Sequence, residues 1–303
     1  MNSKEAGKHF RRLLARYSLI FCSLIIRILP RSALYGFANA IGILGYYIAV
    51  RQRKIALESL SMAFGKDLTD KERTKIAKDC FKNMAKSGVE MLYLLDAPQM
   101  CRQFVAIEGK KHLDEALSKG RGVIAVSAHF GNFPLALTRL KQEGYEVSTM
   151  LRRMRDEKLD DFLERRRRKI GINSIYTTPR QQCVEDSLRV LRNNEVLFIQ
   201  LDQNFGTGGI FVEFFGRESA TATGPVVFAL RTEAPIIPIF IVRQAGNSHR
   251  IIIEPEIVIE EKDTQENTVQ FNIQKITSII ESYVRKYPQE WGWIHRRWKS
   301  QRA

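Results

Sequence analysis

A histidine, a glycine and an asparagine stand together at the end of an apolar run, as His129, Gly131 and Asn132. The run before them, residues 123–126, has the length and β-branching of a buried strand, and the residues after Asn132 recur with helical spacing. His129 is therefore expected where a strand gives way to a helix, which is where α/β sheets place their chemistry. A neutral imidazole there can take a proton near pH 7, and backbone N–H groups around Gly131 and Asn132 can face an oxyanion or a phosphate. The alternative is a histidine that is only hydrogen-bonded at a strand end.

A carboxylate and two amides follow the most apolar stretch of the chain, residues 196–201. They are Asp202, Gln203 and Asn204, and the stretch before them has the composition of a buried strand. Functional side chains of open α/β sheets gather at the carboxyl ends of strands, so Asp202 and Gln203 are expected at the same edge as His129.

Arginines crowd two further stretches, residues 151–155 after a predicted strand and residues 164–169 along a predicted helix. A guanidinium group can bind phosphate or carboxylate through two parallel hydrogen bonds, so both stretches are candidate anion sites. The alternative is a solvated helix face, and we favour it for most of residues 165–169.

The chain is strongly basic, with a formal net charge of +15 at pH 7 and an isoelectric point near 9.8. This charge predicts attraction to nucleic acid, to an acidic protein or to a phospholipid surface, without choosing among them. Residues 291–299 interleave tryptophans with basic side chains, a mixture that suits nucleic acid stacking and a membrane interface equally well. No recognised nucleic-acid-binding motif is found, so nucleic acid is not a favoured partner.

The elements that must position these residues alternate between strands and helices from residue 104 onward. Strands are predicted at 105–107, 123–126, 147–151, 196–201, 236–242 and 249–259. Helices are predicted at 112–118, 156–169, 181–191 and 268–287. Strands separated by helices predict an α/β fold with a mostly parallel, helix-covered sheet. Because there is no internal repeat or low-complexity linker, the simplest division is one catalytic domain over 51–303 and a helical N-terminal region over 1–50.

The N-terminal region contains two apolar stretches, residues 13–29 and 33–50, with basic residues beside them. A spanning helix needs about 20 consecutive apolar residues, so each stretch is borderline. The alternative is a pair of ordinary core helices, but the basic flanks favour a membrane anchor or a helix pair lying in the interface, with the basic residues on the cytoplasmic side. Residues 54–95 are predicted to form two helices that pack against the rest of the protein. A capping box at Thr69 and Glu72 marks the start of the second helix.

The cysteines, Cys22, Cys80, Cys101 and Cys183, are scattered and form no C-x-x-C pair. Their spacing argues against a zinc ribbon, a thioredoxin motif or a secreted disulfide framework, so we expect no metal site and a reducing compartment. A chain of 303 residues, 44% of them hydrophobic, is long enough to bury a large core.

Taken in order, these stretches resemble the bacterial lipid A biosynthesis (late) acyltransferases of the wider lysophospholipid acyltransferase family. The marker of that family is a histidine four residues short of an acid, usually written H-x-G-N-W-E, and residues 129–134 read H-F-G-N-F-P. The resemblance continues through Arg153, residues 202–204, the glycine-bounded run 209–216 and residues 293–297. It covers the chain from about residue 51 to residue 299.

The resemblance implies an α/β fold of the glycerolipid acyltransferase type, held at the cytoplasmic face of the cell inner membrane. It implies transfer of a fatty acyl chain from an acyl-carrier-protein or coenzyme A thioester to a lipid acceptor, either a lipid A precursor or a lyso-lipid. The expected partners are a membrane phospholipid surface, an acyl carrier protein and the lipid acceptor, and no cofactor is expected beyond the thioester co-substrate.

One position departs from the family marker, because Pro134 stands where the acid is expected. In the family that acid orients and polarises the histidine, so that its other nitrogen can deprotonate the acceptor. Proline suits the first turn of a helix, so the departure concerns chemistry and not folding. Three interpretations stay open: another carboxylate replaces the acid, the histidine works without one at a reduced rate, or the protein is a catalytically silent lipid binder. The first points to Glu213, which stands where relatives often have proline, or to Asp202.

The sequence therefore predicts a membrane-attached acyltransferase with His129 as general base and Glu213 or Asp202 as its partner. The expected substrate-binding residues are Gly131, Asn132, Arg153 and Gln203. The first two would shape the loop that stabilises the oxyanion, and the arginine would bind an anionic part of the donor or acceptor.

Overall fold

The computed structural model describes residues 30–96, 98–154, 156–300 and 302, so the apolar stretch predicted at 13–29 lies outside the described residues. The described part opens with three helices, α1 (Arg31–Ile48), α2 (Val50–Phe64) and α3 (Asp70–Asp96). The first of them packs along the third through a small apolar cluster that includes Ala38 and Val89.

The capping box at the start of α3 is confirmed. The backbone N–H of Thr69 donates to Glu72 Oε2 at 2.7 Å, and the backbone N–H of Glu72 donates to Thr69 Oγ1 at 3.3 Å. Two of the amides at this helix start, which have no partner within the helix, are thereby satisfied.

A seven-stranded sheet forms the centre of the molecule. Its strands are β1 (Val105–Glu108), β2 (Val123–Ser127), β3 (Val147–Leu151), β4 (Ile172–Tyr176), β5 (Val196–Gln200), β8 (Ile236–Arg243) and β9 (His249–Ile253). They lie in the order β1-β9-β8-β2-β5-β3-β4, and every pair is parallel except β8 with β9. The predicted mostly parallel α/β sheet is confirmed.

Helices cover both faces of this sheet. They are α4 (Cys101–Phe104), α5 (Lys110–Ser118), α6 (Phe133–Gln142), α7 (Glu157–Lys169), α8 (Arg180–Arg192), α9 (Gly224–Thr232) and α10 (Gln265–Lys286). Alternate residues of β2 point to opposite faces, so that Ile124 packs on one side, in the cluster that contains α10, and Ala125 on the other, with α6. Both faces are buried, which explains why the central strands read as continuous apolar runs.

Two strands differ from the prediction for local reasons. The strand predicted at 249–259 ends at Ile253, because Pro255 has no N–H to donate to a ladder. The strand β4 was not predicted, because it lies at the edge of the sheet and carries the polar residues Asn173 and Ser174 in its middle. An edge strand is half exposed and lacks the apolar run by which a central strand is recognised.

The C-terminal aromatic residues are buried, which corrects the expectation of a nucleic acid or membrane surface there. Trp291 is 1% exposed, Trp293 0% and Trp298 8%. They pack against Phe214 and Phe215 of an antiparallel hairpin formed by β6 (Ile210–Phe214) and β7 (Arg217–Thr221). The tryptophans of this segment therefore belong to the core, and they do not form an exposed binding surface.

No single helix in the described part of the chain is both long and apolar enough to cross a membrane. Ala33–Ile48 and Val50–Asp67 reach that length and apolarity only as a pair, and the two are bent by 88° at the break between them. The division of the chain near residue 50 stays a prediction.

Candidate active site

His129 and Asp202 are brought together by two adjacent parallel strands. In the register of β2 and β5, Ser127 lies opposite Gln200, and each functional residue stands two positions beyond this pair. The backbone N–H of Leu201 donates to Ser127 O at 2.9 Å, which holds the two strand ends side by side. The carboxyl ends of the strands therefore deliver an imidazole and a carboxylate to the same point.

Both oxygens of the Asp202 carboxylate are held. His129 Nδ1 lies 2.9 Å from Asp202 Oδ1, and Trp291 Nε1 donates to Asp202 Oδ2 at 2.8 Å. Asp202 is buried, whereas the His129 side chain is 38% exposed. Because an ionised carboxylate only accepts hydrogen bonds, Nδ1 carries the histidine proton and Nε2 is the basic nitrogen.

Burial and charge act in opposite directions on this pair. Burial raises the pKa of Asp202, but the charge and the hydrogen bonds of His129, with the hydrogen bond from Trp291, outweigh it and hold this pKa at about 2. Burial lowers the pKa of His129, and the charge and hydrogen bond of Asp202 outweigh that effect too, so this pKa lies above its ordinary 6.5. The site therefore presents an ionised carboxylate beside an imidazole with increased proton affinity.

Gln203 reaches the other nitrogen of the histidine. Its Nε2 lies 3.2 Å from His129 Nε2, so the amide can donate to the basic lone pair. The backbone carbonyl of Gln203 accepts a hydrogen bond of 2.9 Å from Nη1 of Arg297, a side chain that also donates to two oxygens of β7. Arg297 is 1% exposed, and this buried guanidinium fixes the loop that carries Asp202 and Gln203.

Gly131 supports the histidine loop from behind. Its φ is +57°, and a Cβ there would lie 2.0 Å from Ile241 O, so only glycine fits. Its backbone N–H donates to Glu290 O at 2.8 Å. This hydrogen bond fixes the shape of the loop, and substrate binding by Gly131 stays a prediction.

Asn132 is also turned into the protein, being 1% exposed. Its Nδ2 donates to Glu90 Oε2 at 2.8 Å and to Ser87 O at 3.3 Å. This side-chain amide holds the loop in place, and substrate binding by Asn132 stays a prediction.

Glu90 is the centre of a buried charged cluster behind the site. Besides Asn132, it binds Arg243 through both carboxylate oxygens, one at 3.0 Å and the other more closely, and it contacts His249 Nε2 at 3.1 Å. Burial raises the pKa of Glu90, but the hydrogen bonds and charges of His249 and Arg243 bring it down to about 2. An ionised carboxylate therefore anchors the start of α6, and with it the loop of His129.

A cavity of about 1250 Å³ opens beside His129. Near the histidine it is lined by Phe133 and Pro134, at the start of α6. Much of the remaining lining is apolar and comes from Leu137, Leu163, Ile170, Ile172, Val184, Ile199, Val227 and Phe228. Its arginines are Arg152, Arg167, Arg180 and Arg231. An apolar cavity with cationic groups suits an alkyl chain attached to an anionic group.

Arg153 does not line this cavity. Its guanidinium carbon lies 3.9 Å from the centre of the Tyr176 ring, and its Nη1 lies 3.5 Å from Asp160 Oδ2. The neighbouring Arg152 lines the cavity instead. Side chains alternate along an extended segment, so a shift of one residue exchanges the arginine that faces the site.

Glu213 lies away from the histidine. Its side chain is exposed on β6, and its backbone N–H and C=O both bind the side-chain amide of Gln274, at 2.7 and 3.0 Å. Of the two carboxylates proposed to replace the missing acid, the structure brings Asp202 to His129 and leaves Glu213 on the hairpin.

The family model of bacterial lipid A biosynthesis acyltransferases matches residues 2–300. The chain belongs to this family. The chain is 26% identical over 276 residues to the lipid A biosynthesis palmitoleoyltransferase of Escherichia coli, covering 90% of this chain and 87% of that protein. It is 24% identical over 188 residues to a phosphatidylinositol mannoside acyltransferase of Mycolicibacterium smegmatis, covering 62% of this chain and 60% of that one.

A crystal structure of the 1-acyl-sn-glycerophosphate acyltransferase of Thermotoga maritima aligns with 78% of this chain and 97% of its own, with 11% sequence identity and a TM-score of 0.38. The family and its named members make this protein an acyltransferase.

Three residues of this acyltransferase's site were missed by the sequence analysis. Trp291 and Arg297 belong to the stretch interpreted as a surface, and Glu90 lies in a helix interpreted as packing material. The one available signal was composition: a glutamate on an apolar helix face, and an arginine between tryptophans, are residues that stay buried only when they are paired.

Proposed function

We propose that this acyltransferase moves a fatty acyl chain from a thioester to a hydroxyl or amine of a lipid acceptor, with His129 as general base and Asp202 as its partner. The observation that carries the proposal is the 2.9 Å contact between His129 Nδ1 and Asp202 Oδ1 at the mouth of an apolar cavity. Asp202 thus does the work that the acid of the family marker would do, and Pro134 keeps only its role at the helix start.

The proton moves through Nε2 of His129. As the acceptor oxygen or nitrogen attacks the thioester carbonyl, Nε2 takes its proton, and a tetrahedral oxyanion forms. When the carbon–sulfur bond breaks, the thiolate leaves and receives that proton from Nε2, so the enzyme returns to its starting state. Asp202 stays ionised throughout, holds the tautomer and stabilises the imidazolium. Gln203, which contacts the same nitrogen, lies within reach of the reacting atoms.

The donor is proposed to be an acyl-carrier-protein or coenzyme A thioester, with no cofactor beyond it. Both carry their thiol on a phosphate-bearing arm, and the cavity arginines Arg152, Arg180 and Arg231 suit that charge. The acyl chain would occupy the apolar part of the cavity. The acceptor is proposed to be a lipid A precursor or a lyso-lipid, since relatives are named for lipid A biosynthesis and for phosphatidylinositol mannoside.

Attachment to the cytoplasmic face of the inner membrane is part of the proposal. We call Ile43, Leu44, Tyr47, Ile48 and Val50 the apolar patch, and these side chains are between 47% and 69% exposed. Basic residues follow the patch directly in sequence, as Arg51, Arg53 and Lys54. Exposed apolar residues beside basic ones support a helix lying in the interface of an anionic membrane.

The activity is tested with purified full-length protein, acyl-carrier-protein and coenzyme A thioesters of several chain lengths, and lipid A precursor or lyso-lipid acceptors. Transfer to at least one acceptor, lost in His129→Ala, is the expected result. Lipid binding without transfer, equal in wild type and His129→Ala, would replace the enzyme with a catalytically silent lipid-binding relative.

Membrane attachment is tested by sedimentation of the full chain with vesicles. Ile48→Asp removes an apolar contact and adds a repelled charge, so it should weaken vesicle binding by about tenfold or more. Val258→Asp is the matched control, since Val258 is 68% exposed outside the patch. Equal loss in both variants, or in neither, contradicts attachment through the apolar patch.

A further inference from the structure

A second cavity, of about 800 Å³, lies between α1, α3 and the end of β8 and shares no lining residue with the active-site cavity. Its cationic lining residues are Lys75, Lys82, Lys86 and Arg243. Its acidic lining residues are Glu72, Asp79 and Glu290, and amides are supplied by Asn39, Asn83, Gln244 and Gln289. Most residues that line this cavity are polar or charged, whereas much of the lining of the cavity beside His129 is apolar.

Two of the carboxylates in this cavity are already engaged. Asp79 pairs with Lys82 at 2.5 Å, and Glu72 is bound by the backbone and hydroxyl of Thr69 in the capping box. Burial raises the pKa of Glu290 to about 7, so part of the population carries a neutral carboxyl near pH 7. Asp79 is therefore compensated by Lys82, and Glu290 is only partly ionised, whereas Glu72 keeps its charge at the exposed start of α3. Because Arg243 is paired with Glu90, the positive charge left in the cavity comes from Lys75 and Lys86.

Lys86 is a cation of this cavity without a direct partner in the described part of the chain. It is partly buried, and among the described residues it has no hydrogen-bond or ion-pair partner. Burial, and then the charge of Arg243, lower its pKa. Glu90 and Glu290 raise this pKa, but by less. An anion in the cavity would offset burial and the charge of Arg243, because it adds counter-charge close to Lys86.

Arg243 lines the same cavity and carries one donor atom without an acceptor in the described structure. Its side chain is 7% exposed, and its Nη1 and Nη2 are bound by Glu90. Its Nε is buried and has no acceptor among the residues that the structure describes. A buried donor without a partner costs about 1–3 kcal/mol, so an oxygen reaching this point would be favoured.

The rim of the cavity is apolar on one side. Ile43 lines the cavity and begins the apolar patch, which continues through Leu44, Tyr47 and Ile48 on the same helix. A cationic pocket beside exposed apolar side chains matches a molecule with a phosphate and hydrocarbon chains.

We propose that this cavity binds the phosphate of an anionic glycerophospholipid headgroup, at a site separate from the catalytic one. Lys86 and Lys75 supply charge, Arg243 Nε supplies a hydrogen bond, and the acyl chains leave over Ile43 toward the apolar patch. Glu290 lines this cavity, and its backbone carbonyl accepts a hydrogen bond from the backbone N–H of Gly131 in the catalytic loop. A bound headgroup would therefore lie beside a residue that supports this loop. The proposal rests on the proposed membrane attachment through the apolar patch. A monomeric lipid forms no membrane, so a titration with it tests this cavity separately from that attachment.

The test is calorimetric titration of full-length protein with short-chain phosphatidylglycerol below its micelle concentration, and separately with inorganic phosphate. Wild type should bind the lipid more tightly than the phosphate. Lys86→Met keeps an unbranched side chain of nearly the same length and removes its charge. Lys75 is exposed, so Lys75→Gln does not disturb the core. Each should weaken lipid binding by about fivefold or more, the equivalent of about 1 kcal/mol per cation.

Lys71→Gln is the matched control, since Lys71 is an exposed lysine of the same helix outside the cavity. Its binding should equal that of wild type. Equal loss in Lys71→Gln and Lys75→Gln would reduce the site to general surface charge and overturn the proposal. Unchanged binding in both cavity variants overturns it as well, and so does phosphate binding as tight as lipid binding, which would assign the cavity to a free phosphate.

Discussion

Two histidine–carboxylate pairs of similar geometry lie in this protein with different surroundings. His129 Nδ1 is 2.9 Å from Asp202, and His249 Nε2 is 3.1 Å from Glu90, and each carboxylate is held ionised with its pKa at about 2. The His129 side chain is 38% exposed and faces a cavity, whereas the His249 side chain is 1% exposed. Glu90 also binds a guanidinium, that of Arg243, and Asp202 binds the uncharged Trp291.

The comparison teaches that a short contact between a histidine and a carboxylate does not by itself make a base. A base needs its second nitrogen where a substrate can reach it, and it is helped by a carboxylate whose charge favours the protonated imidazole. Glu90 is already neutralised by Arg243, so His249 completes a buried network and holds the fold. Asp202 has no second cation bound to it among the described residues, so its charge acts on His129.

Replacement of each histidine by alanine should give the largest difference in activity between the two pairs. His129→Ala removes the proposed base and should reduce acyl transfer by about 10²–10⁴-fold, the usual scale of general acid–base catalysis. His249→Ala should leave kcat within about tenfold of wild type and lower the midpoint of urea unfolding instead. Steady-state kinetics and urea unfolding of both variants measure this. A similar loss of kcat at both sites would remove the distinction between the pairs.

Glu90→Gln should produce the largest loss of stability. It leaves Arg243 as a buried charge without its partner, which costs on the order of 3–5 kcal/mol. The pKa of Glu90 is depressed from 4.5 to about 2, so its ionised form contributes stability that is complete above pH 4.5 and is lost as the pH falls toward 2. Urea unfolding at several pH values should therefore give a difference between wild type and variant that vanishes at acid pH. A difference that is constant with pH contradicts the ionic role.

Asp202→Asn should cost about 10²-fold in kcat and should also move the pH profile. The pKa of His129 is above 6.5 because Asp202 outweighs the effect of burial, so the wild-type acid limb of kcat/KM lies above pH 6.5. Without that charge, burial prevails and the limb moves to lower pH. Glu213→Gln is the matched control, since Glu213 lies away from His129, and its profile should equal that of wild type. A loss confined to Glu213→Gln would assign the partner role to the hairpin.

Trp291→Phe should have the smallest effect. It removes one hydrogen bond to Asp202 and keeps an aromatic ring in the cluster, so the expected loss of stability is about 1.5–3 kcal/mol and the loss of kcat is below about tenfold. The pKa of Asp202 would rise from about 2 but stay below that of His129, so the acid limb of the pH profile should not move. A limb that shifts as in Asp202→Asn would show that Trp291 controls the charge of the pair.

The sequence alone determined the parallel sheet, the position of His129 at a strand end and the family. These follow from local patterns: apolar runs of strand length, helical spacing, a capping box and the order of short motifs. It also limited the candidates for the acid that is missing at position 134 to Asp202 and Glu213, because both lie in stretches that resemble the family.

Only the tertiary structure shows that Asp202 lies beside His129 while Glu213 lies on the hairpin, and only it shows which residues support the site. In the sheet β2 lies beside β5, although β3 and β4 come between these two strands in the chain, and no local pattern records that order. Trp291 and Glu90 are likewise distant in sequence from the residues they hold. Which side chains meet depends on the pairing of distant segments, and that is set by the packing of the whole core.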